Sequence, residues 1–135
     1  MLYFNNEAAR LTLHPAGEYV HLHWYADLHA DTLRQQAMEQ VRQALQAQGW
    51  QKVLATEFAS SPFSVELQVW LQLDWRPRAV QAGYRYCALV QPYDLAAQMA
   101  LVDIMREHTA PWPRYHRCAS ESAALAWLTR QPRVA

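Results

Sequence analysis

The chain has 135 residues, 52% of them apolar and 18% charged, which suits one globular domain with a buried core and excludes a disordered or fibrous polymer. Twelve basic residues balance twelve acidic ones, so no global field recruits nucleic acid or an anionic membrane surface. No apolar run reaches membrane-spanning length, and the stretch from Met1 to Asn6 lacks the charged flank of a secretory signal, so a cytoplasmic protein without membrane insertion is expected.

Leu2 to Phe4 reads as a short strand, and Arg10 to His14 alternates polar and apolar before Pro15 and Gly17 turn the chain. Tyr19 to Tyr25 alternates cleanly: Val20, Leu22 and Trp24 form a core face, and Tyr19, His21, His23 and Tyr25 form an amphipathic one. From Asp31 the period changes. Leu33, Ala37, Val41 and Leu45 recur every fourth residue through a stretch that ends at Gly49, which predicts a helix. Lys52 to Ala55 is a short buried strand, and strand, helix and strand together suggest a parallel βαβ unit.

Phe63, Val65, Leu67, Val69, Leu71, Leu73 and Trp75 alternate strictly, whereas Leu67, Trp70, Leu71 and Asp74 also fit one helical face. A strand of that length would be unusual, and Gly83 stands where a helix C′ residue belongs, so we assign a helix that is broken or bent near Pro77. Tyr84 to Val90 is the next strand. A helix then opens at Pro92 and Asp94, with Leu95, Met99, Val102 and Met105 or Arg106 on its inner stripe before His108. After the loop Thr109 to Pro113, Tyr115 to Ala119 is the last strand. Ser120 caps a final helix with Leu125 and Leu128 inside. The order is βββαβαβαβα in one α/β domain over residues 1–135, a mixed sheet that starts antiparallel and continues parallel, with helices mainly on one face. Cys87 and Cys118 fall in separate strands and read as buried reduced thiols, bridgeable only if those strands are neighbours.

Three strings carry a family likeness: Trp70-Leu71 followed by Asp74-Trp75-Arg76-Pro77, then Gly83 to Val90, then Glu121 to Leu128. With the element order, they resemble small bacterial STAS/SEC14-like proteins, relatives of anti-sigma-factor antagonists that mostly have no assigned function. In STAS antagonists a Ser or Thr after the second long strand is a phosphorylation switch in an Asp-x-Ser-Gly context. The equivalent stretch here, Ala55 to Pro62, has neither that aspartate nor the glycine. Thr56, Glu57, Ser60 and Ser61 are the candidates that the resemblance marks for a phosphorylation or ligand loop. The other reading of Ser60 and Ser61 is ordinary capping and loop chemistry.

His21 and His23 on one sheet face are the candidate metal ligands, with His14, His29, Glu18 and Asp27 the further donors a site would need. The other reading is a half-exposed amphipathic face, and it leaves no metal and no cofactor in the protein. No Gly-rich phosphate loop, nucleophile elbow or redox cysteine spacing occurs, so no catalytic residue is assigned and no enzyme is expected. Among six tryptophans and seven tyrosines, Trp24 and Trp127 suit the core. Trp112, between two prolines, suits either a partner contact or a plug over the sheet edge.

The expected function is a non-enzymatic regulatory or protein-interaction module. Its partner is another protein or a second copy in a homodimer, met through Tyr19, His21, His23, Tyr25 and Trp112. One alternative is a domain for a small apolar molecule or lipid, which the SEC14-like side of the resemblance implies. A lower alternative is a metal-dependent enzyme that uses His21 and His23.

Overall fold

A computed structural model of the chain describes residues 1–25, 31–57, 64–90 and 111–134. Three antiparallel strands come first: β1 (Leu2–Asn5), β2 (Ala9–His14) and β3 (Tyr19–Trp24). Helix α1 (Asp31–Gln48) leads to β4 (Lys52–Glu57), and a helical stretch follows as α2 (Val65–Trp70), a π turn (Leu71–Trp75) and α3 (Arg76–Gln81). Then come β5 (Tyr86–Val90), β6 (Arg114–Cys118) and α4 (Glu121–Arg130). All six strands form one sheet in sequence order, antiparallel from β1 to β3 and parallel from β3 to β6. The expected α/β class and mixed sheet are therefore present. The helix expected between Pro92 and His108 lies outside the described residues, as do Phe63, Ser60, Ser61, Asp27 and His29.

Strand alternation divides the apolar residues between two cores. On one face Leu11, Leu13, Val20, Leu22, Val53, Ala55, Cys87 and Leu89 pack with α1 and the 65–81 helix. On the other, Leu54, Tyr86, Ala88 and Cys118 pack beneath Ala124 and Leu128 of α4. Among the described residues α1 and the 65–81 helix thus lie on one face and α4 on the other. The reason is visible in β5, where Tyr86 and Ala88 are as fully buried as Cys87; a strand buried on both sides needs a cover on each.

The ambiguous alternation over 65–75 resolves as helix. Residues two apart cannot share a helical face, so the apolar positions split into two stripes of period four. Leu67, Leu71 and Trp75 are buried, while Val65, Val69 and Leu73 are 70%, 46% and 76% exposed. The irregularity lies before Pro77 rather than at it. Arg76 N–H donates to the Leu71 carbonyl five residues back. The widened turn accommodates a proline that has no N–H to give and whose ring would crowd the preceding carbonyl. The Trp75 indole N–H donates to the Met38 carbonyl at 2.7 Å, pinning this helix to α1.

Both C-terminal glycines act as the sequence predicts. Gly49 has φ +70° and Gly83 φ +114°, and Tyr84 N–H returns to the Ala79 carbonyl while Gly83 N–H returns to Val80, which closes the helix end as a Schellman motif. A Cβ on Gly49 meets open space, whereas one on Gly83 would stand 3.4 Å from the Trp50 carbonyl oxygen in a conformation L residues rarely adopt. Gly83→Ala should therefore cost about 2–3 kcal/mol and Gly49→Ala about 1 kcal/mol. Urea unfolding of both variants checks this, and the reverse order would contradict the account.

Candidate functional site: an imidazole and aromatic row on β2 and β3

The second sheet face is divided. α4 covers its β4 to β6 half, and the β2 and β3 half carries Arg10, Thr12, His14, Tyr19, His21, His23 and Tyr25. Antiparallel pairing sets Arg10 opposite His23, Thr12 opposite His21 and His14 opposite Tyr19. The rings therefore form one packed row. His14 and Tyr19 stack with centroids 4.6 Å apart and planes at 4°. His14 then leans on His21 at 6.0 Å, His21 meets His23 edge-on at 6.1 Å, and His23 meets Tyr25 at 5.8 Å. Cross-strand and same-face ring contacts of this kind stabilise a sheet and fix its side chains. The Tyr25 hydroxyl donates to Asn5 Oδ1 at 2.7 Å, which anchors the end of the row to β1.

Parallel pairing of β3 with β4 sets His23 against Thr56. The consequence is a shared hydrogen-bond centre: Thr56 Oγ1 lies 2.9 Å from His21 Nε2 and 2.8 Å from His23 Nδ1. A hydroxyl has one proton, so it can donate to at most one of the two ring nitrogens and must accept from the N–H of at least the other, which restricts the tautomers of the two imidazoles. Burial, reinforced by repulsion from His23, His14 and Arg10, pushes His21 down to about 4. Burial also lowers His23 and His14, with Arg10 adding to the first, the terminal ammonium to the second, and Glu121 of α4 opposing both.

The candidates from the sequence fall out as follows. Tyr19, His21, His23 and Tyr25 come together as one half-buried face. Thr56, expected in a loop, is instead a strand residue only 5% exposed, with its hydroxyl held by two histidines. Glu57 ends the same strand. Among the described residues no group of three or more His, Cys, Asp or Glu is arranged to hold a metal. His14 Nε2 is bonded to the Thr12 hydroxyl at 3.0 Å. Trp112 packs edge-on against Tyr86 at 5.7 Å beneath the guanidiniums of Arg114 and Arg85, at 4.9 and 5.8 Å. Trp112 is half-buried there, packing of the kind the plug reading expects. Trp24 is buried, while Trp127 is half-buried and stacks on His116 at 4.9 Å. Cys87 and Cys118 are both free and buried. Their strands are neighbours, but Cys87 pairs with Tyr115 and Cys118 with Val90, which puts the thiols on opposite faces. Burial pushes the Cys87 thiol up to about 12, so it stays protonated.

Sequence reasoning missed Thr56 as the centre of the row, and the roles of Thr12 and His14 beside it. No family model, curated protein or solved structure matches the chain. No helix among the described residues is long and apolar enough to cross a membrane.

The row makes stability depend on pH with a definite sign. His21 is lowered from 6.5 to about 4, so below pH 6.5 the unfolded chain takes up protons that the folded one refuses, and stability falls. Above 6.5 this contribution is complete. Glu39 is lowered from 4.5, chiefly by its hydrogen bond to Arg78, and acts mainly below about pH 5, so among the described residues the window between 6.5 and 4.5 chiefly reports the histidines. Stability should drop by on the order of 2 kcal/mol across it, and His21→Gln should flatten most of the slope. Melting temperatures that do not change in that window would contradict the argument. Thr56→Val, which strands both ring nitrogens, should cost about 1–3 kcal/mol at neutral pH, with Thr56→Ser losing much less. Equal losses in the two variants would show that the hydroxyl is not what holds the rings.

Proposed function

We propose that this chain is a non-enzymatic regulatory or protein-interaction module that meets its partner through the imidazole and aromatic row on β2 and β3. The observation that supports it is the row itself: rings held by strand register and by Thr56, half exposed, on the half of the sheet face that α4 leaves clear. Rigid amphipathic rings give contact area at little entropic cost, which is why aromatic anchors dominate interface energetics. Arg10, exposed and opposite His23, supplies a cationic rim.

The element order and the quoted strings favour a STAS-like fold acting in the cytoplasm of a bacterium. The partner is another protein or a second copy of this chain. The phosphorylation switch of STAS antagonists is not taken over with the fold, because its Asp-x-Ser-Gly context is missing from 55–62 and the hydroxyl at Thr56 is buried and engaged by two histidines; Ser60 and Ser61 lie outside the described residues. The groove between β1, α1 and α2 has apolar walls in Phe4 and Trp70, but its floor of Thr32, Gln35, Gln36 and Gln40 favours a ligand that also carries hydrogen-bonding groups over a purely apolar lipid.

A photo-crosslinking side chain placed at Tyr25, in cells of the native host, tests the reading. A discrete protein adduct should form that is absent when the crosslinker sits at Arg133 and is lost with Arg10→Glu, whose melting temperature should match the parent. An adduct of twice the chain mass identifies a homodimer. No adduct, or the same adducts from both positions, would overturn the proposal.

A further inference from the structure

A groove of about 490 Å³ runs along α1 on the other side of the sheet from the imidazole row. Its floor is a single helical face: Thr32, Gln35, Gln36 and Gln40 stand at the spacing i, i+3, i+4, i+8 that ordinarily carries apolar core residues. Its walls are two half-buried rings, Phe4 from β1 and Trp70 from the last position of α2, both resting on the main core. Among the described residues nothing hydrogen-bonds the three amides or the Thr32 hydroxyl. Each amide offers two donors and an acceptor, so the floor presents an uncommitted array of both kinds.

The remaining lining residue, Glu39, lies on the same face at i+7, but its charge is already matched. Arg42 holds it at 3.1 Å and Arg78 bonds its second oxygen. The groove is therefore neutral in effect.

Its walls are also fixed before any ligand arrives. Asn6 Nδ2 donates to the Leu33 carbonyl at 2.9 Å, which ties the β1 to β2 turn to α1. Ser64 Oγ donates to Asp31 Oδ2 at 2.6 Å, and Trp75 to Met38, which tie the helix bearing Trp70 to the same α1. The π turn begins at the residue after Trp70, so the ring stands where the helix changes its winding.

A neutral molecule with flat C–H faces and many hydroxyls satisfies this lining. We infer that the groove is a binding site for a neutral saccharide of one or two pyranose rings, stacked between Trp70 and Phe4 and hydrogen-bonded by Gln35, Gln36 and Gln40. The C–H face of a pyranose is electropositive and suits the negative face of an aromatic ring, while its hydroxyls both donate and accept and so match amides better than charged groups would. The volume falls in the range of small-ligand pockets. This site is independent of the docking row, which lies on the opposite sheet face and shares no residue with it.

Calorimetric titration of the untagged full chain with maltose, cellobiose and N,N′-diacetylchitobiose tests the inference. One of the three should saturate at about one molecule per chain. Trp70→Ala and Gln36→Ala should each weaken binding by at least about tenfold, and Trp70→Phe by less. Gln36 is exposed, so its variant keeps the fold and isolates the amide. Absence of saturation up to about 10 mM would overturn the inference, as would binding that neither variant changes, or saturation by an uncharged capped triglycine peptide in place of the sugars.

Discussion

The register of β3 against β4 is the constraint on which the rest of the molecule depends. These two strands join the antiparallel start of the sheet to its parallel half. Their pairing sets Val20 beside Val53 and Leu22 beside Ala55 on one face, and His21 beside Leu54 and His23 beside Thr56 on the other. Side chains alternate with a period of two, so a slip of one residue would drive three imidazole and phenol rings into the main core and push Val20, Leu22 and Trp24 out. Burying uncompensated ring nitrogens while exposing that apolar surface would cost far more than a single domain has to lose. The hydrophobic face of β3 and the shared hydroxyl of Thr56 therefore reinforce one alignment.

From that alignment the division of the second face follows. α4 settles where β4 and β5 present Leu54, Tyr86 and Ala88, and it stops short of β2 and β3, where polar rings replace aliphatic ones. Its first-turn Glu121 opposes the depression of His14 and His23, so the acidic start of the helix partly offsets the desolvation of the rings. At the far edge, β6 leaves Arg114, His116 and Arg117 exposed. Cations along an edge strand discourage pairing with another sheet, and two of these side chains also serve the neighbouring aromatics, Arg114 over Trp112 and His116 against Trp127.

Much of this was legible in the sequence where one period dominates. The two faces of β3, the inner stripe of α1 and the C′ roles of Gly49 and Gly83 follow from alternation, from spacing by four and from positive φ. The alternation over 65–75 was ambiguous because the same residues satisfy both periods; only the burial of Leu67, Leu71 and Trp75 against α1 selects the helix, and it leaves a second apolar stripe outside. Thr56 was illegible for a different reason. Its role arises from a neighbour 33 residues away across a parallel pair, and no local pattern encodes which strand lies beside which. The side of the sheet on which the last helix packs is likewise a property of β5, whose burial on both faces reads in sequence only as an apolar run. The glutamines of α1 line a groove only because Phe4 and Trp70 rise beside them from other elements, which no pattern within α1 encodes.

The short turn between β1 and β2 carries more of the architecture than its length suggests. Asn5 accepts from the Tyr25 hydroxyl at the end of the imidazole row. Asn6 reaches the other way, to the Leu33 carbonyl at the start of α1, while its Oδ1 accepts from the backbone N–H groups of Ala8 and Ala9. Two adjacent asparagines thus tie the turn to both faces of the sheet, one beside the row and one beside the groove. Their side chains are short and hydrogen-bond locally, which suits a turn that must be fixed without a core of its own. The edge strand that holds Phe4 in place as a wall is for the same reason held against the two strands that carry the row. Each surface therefore keeps its geometry through backbone and asparagine contacts, and neither depends on the other being occupied.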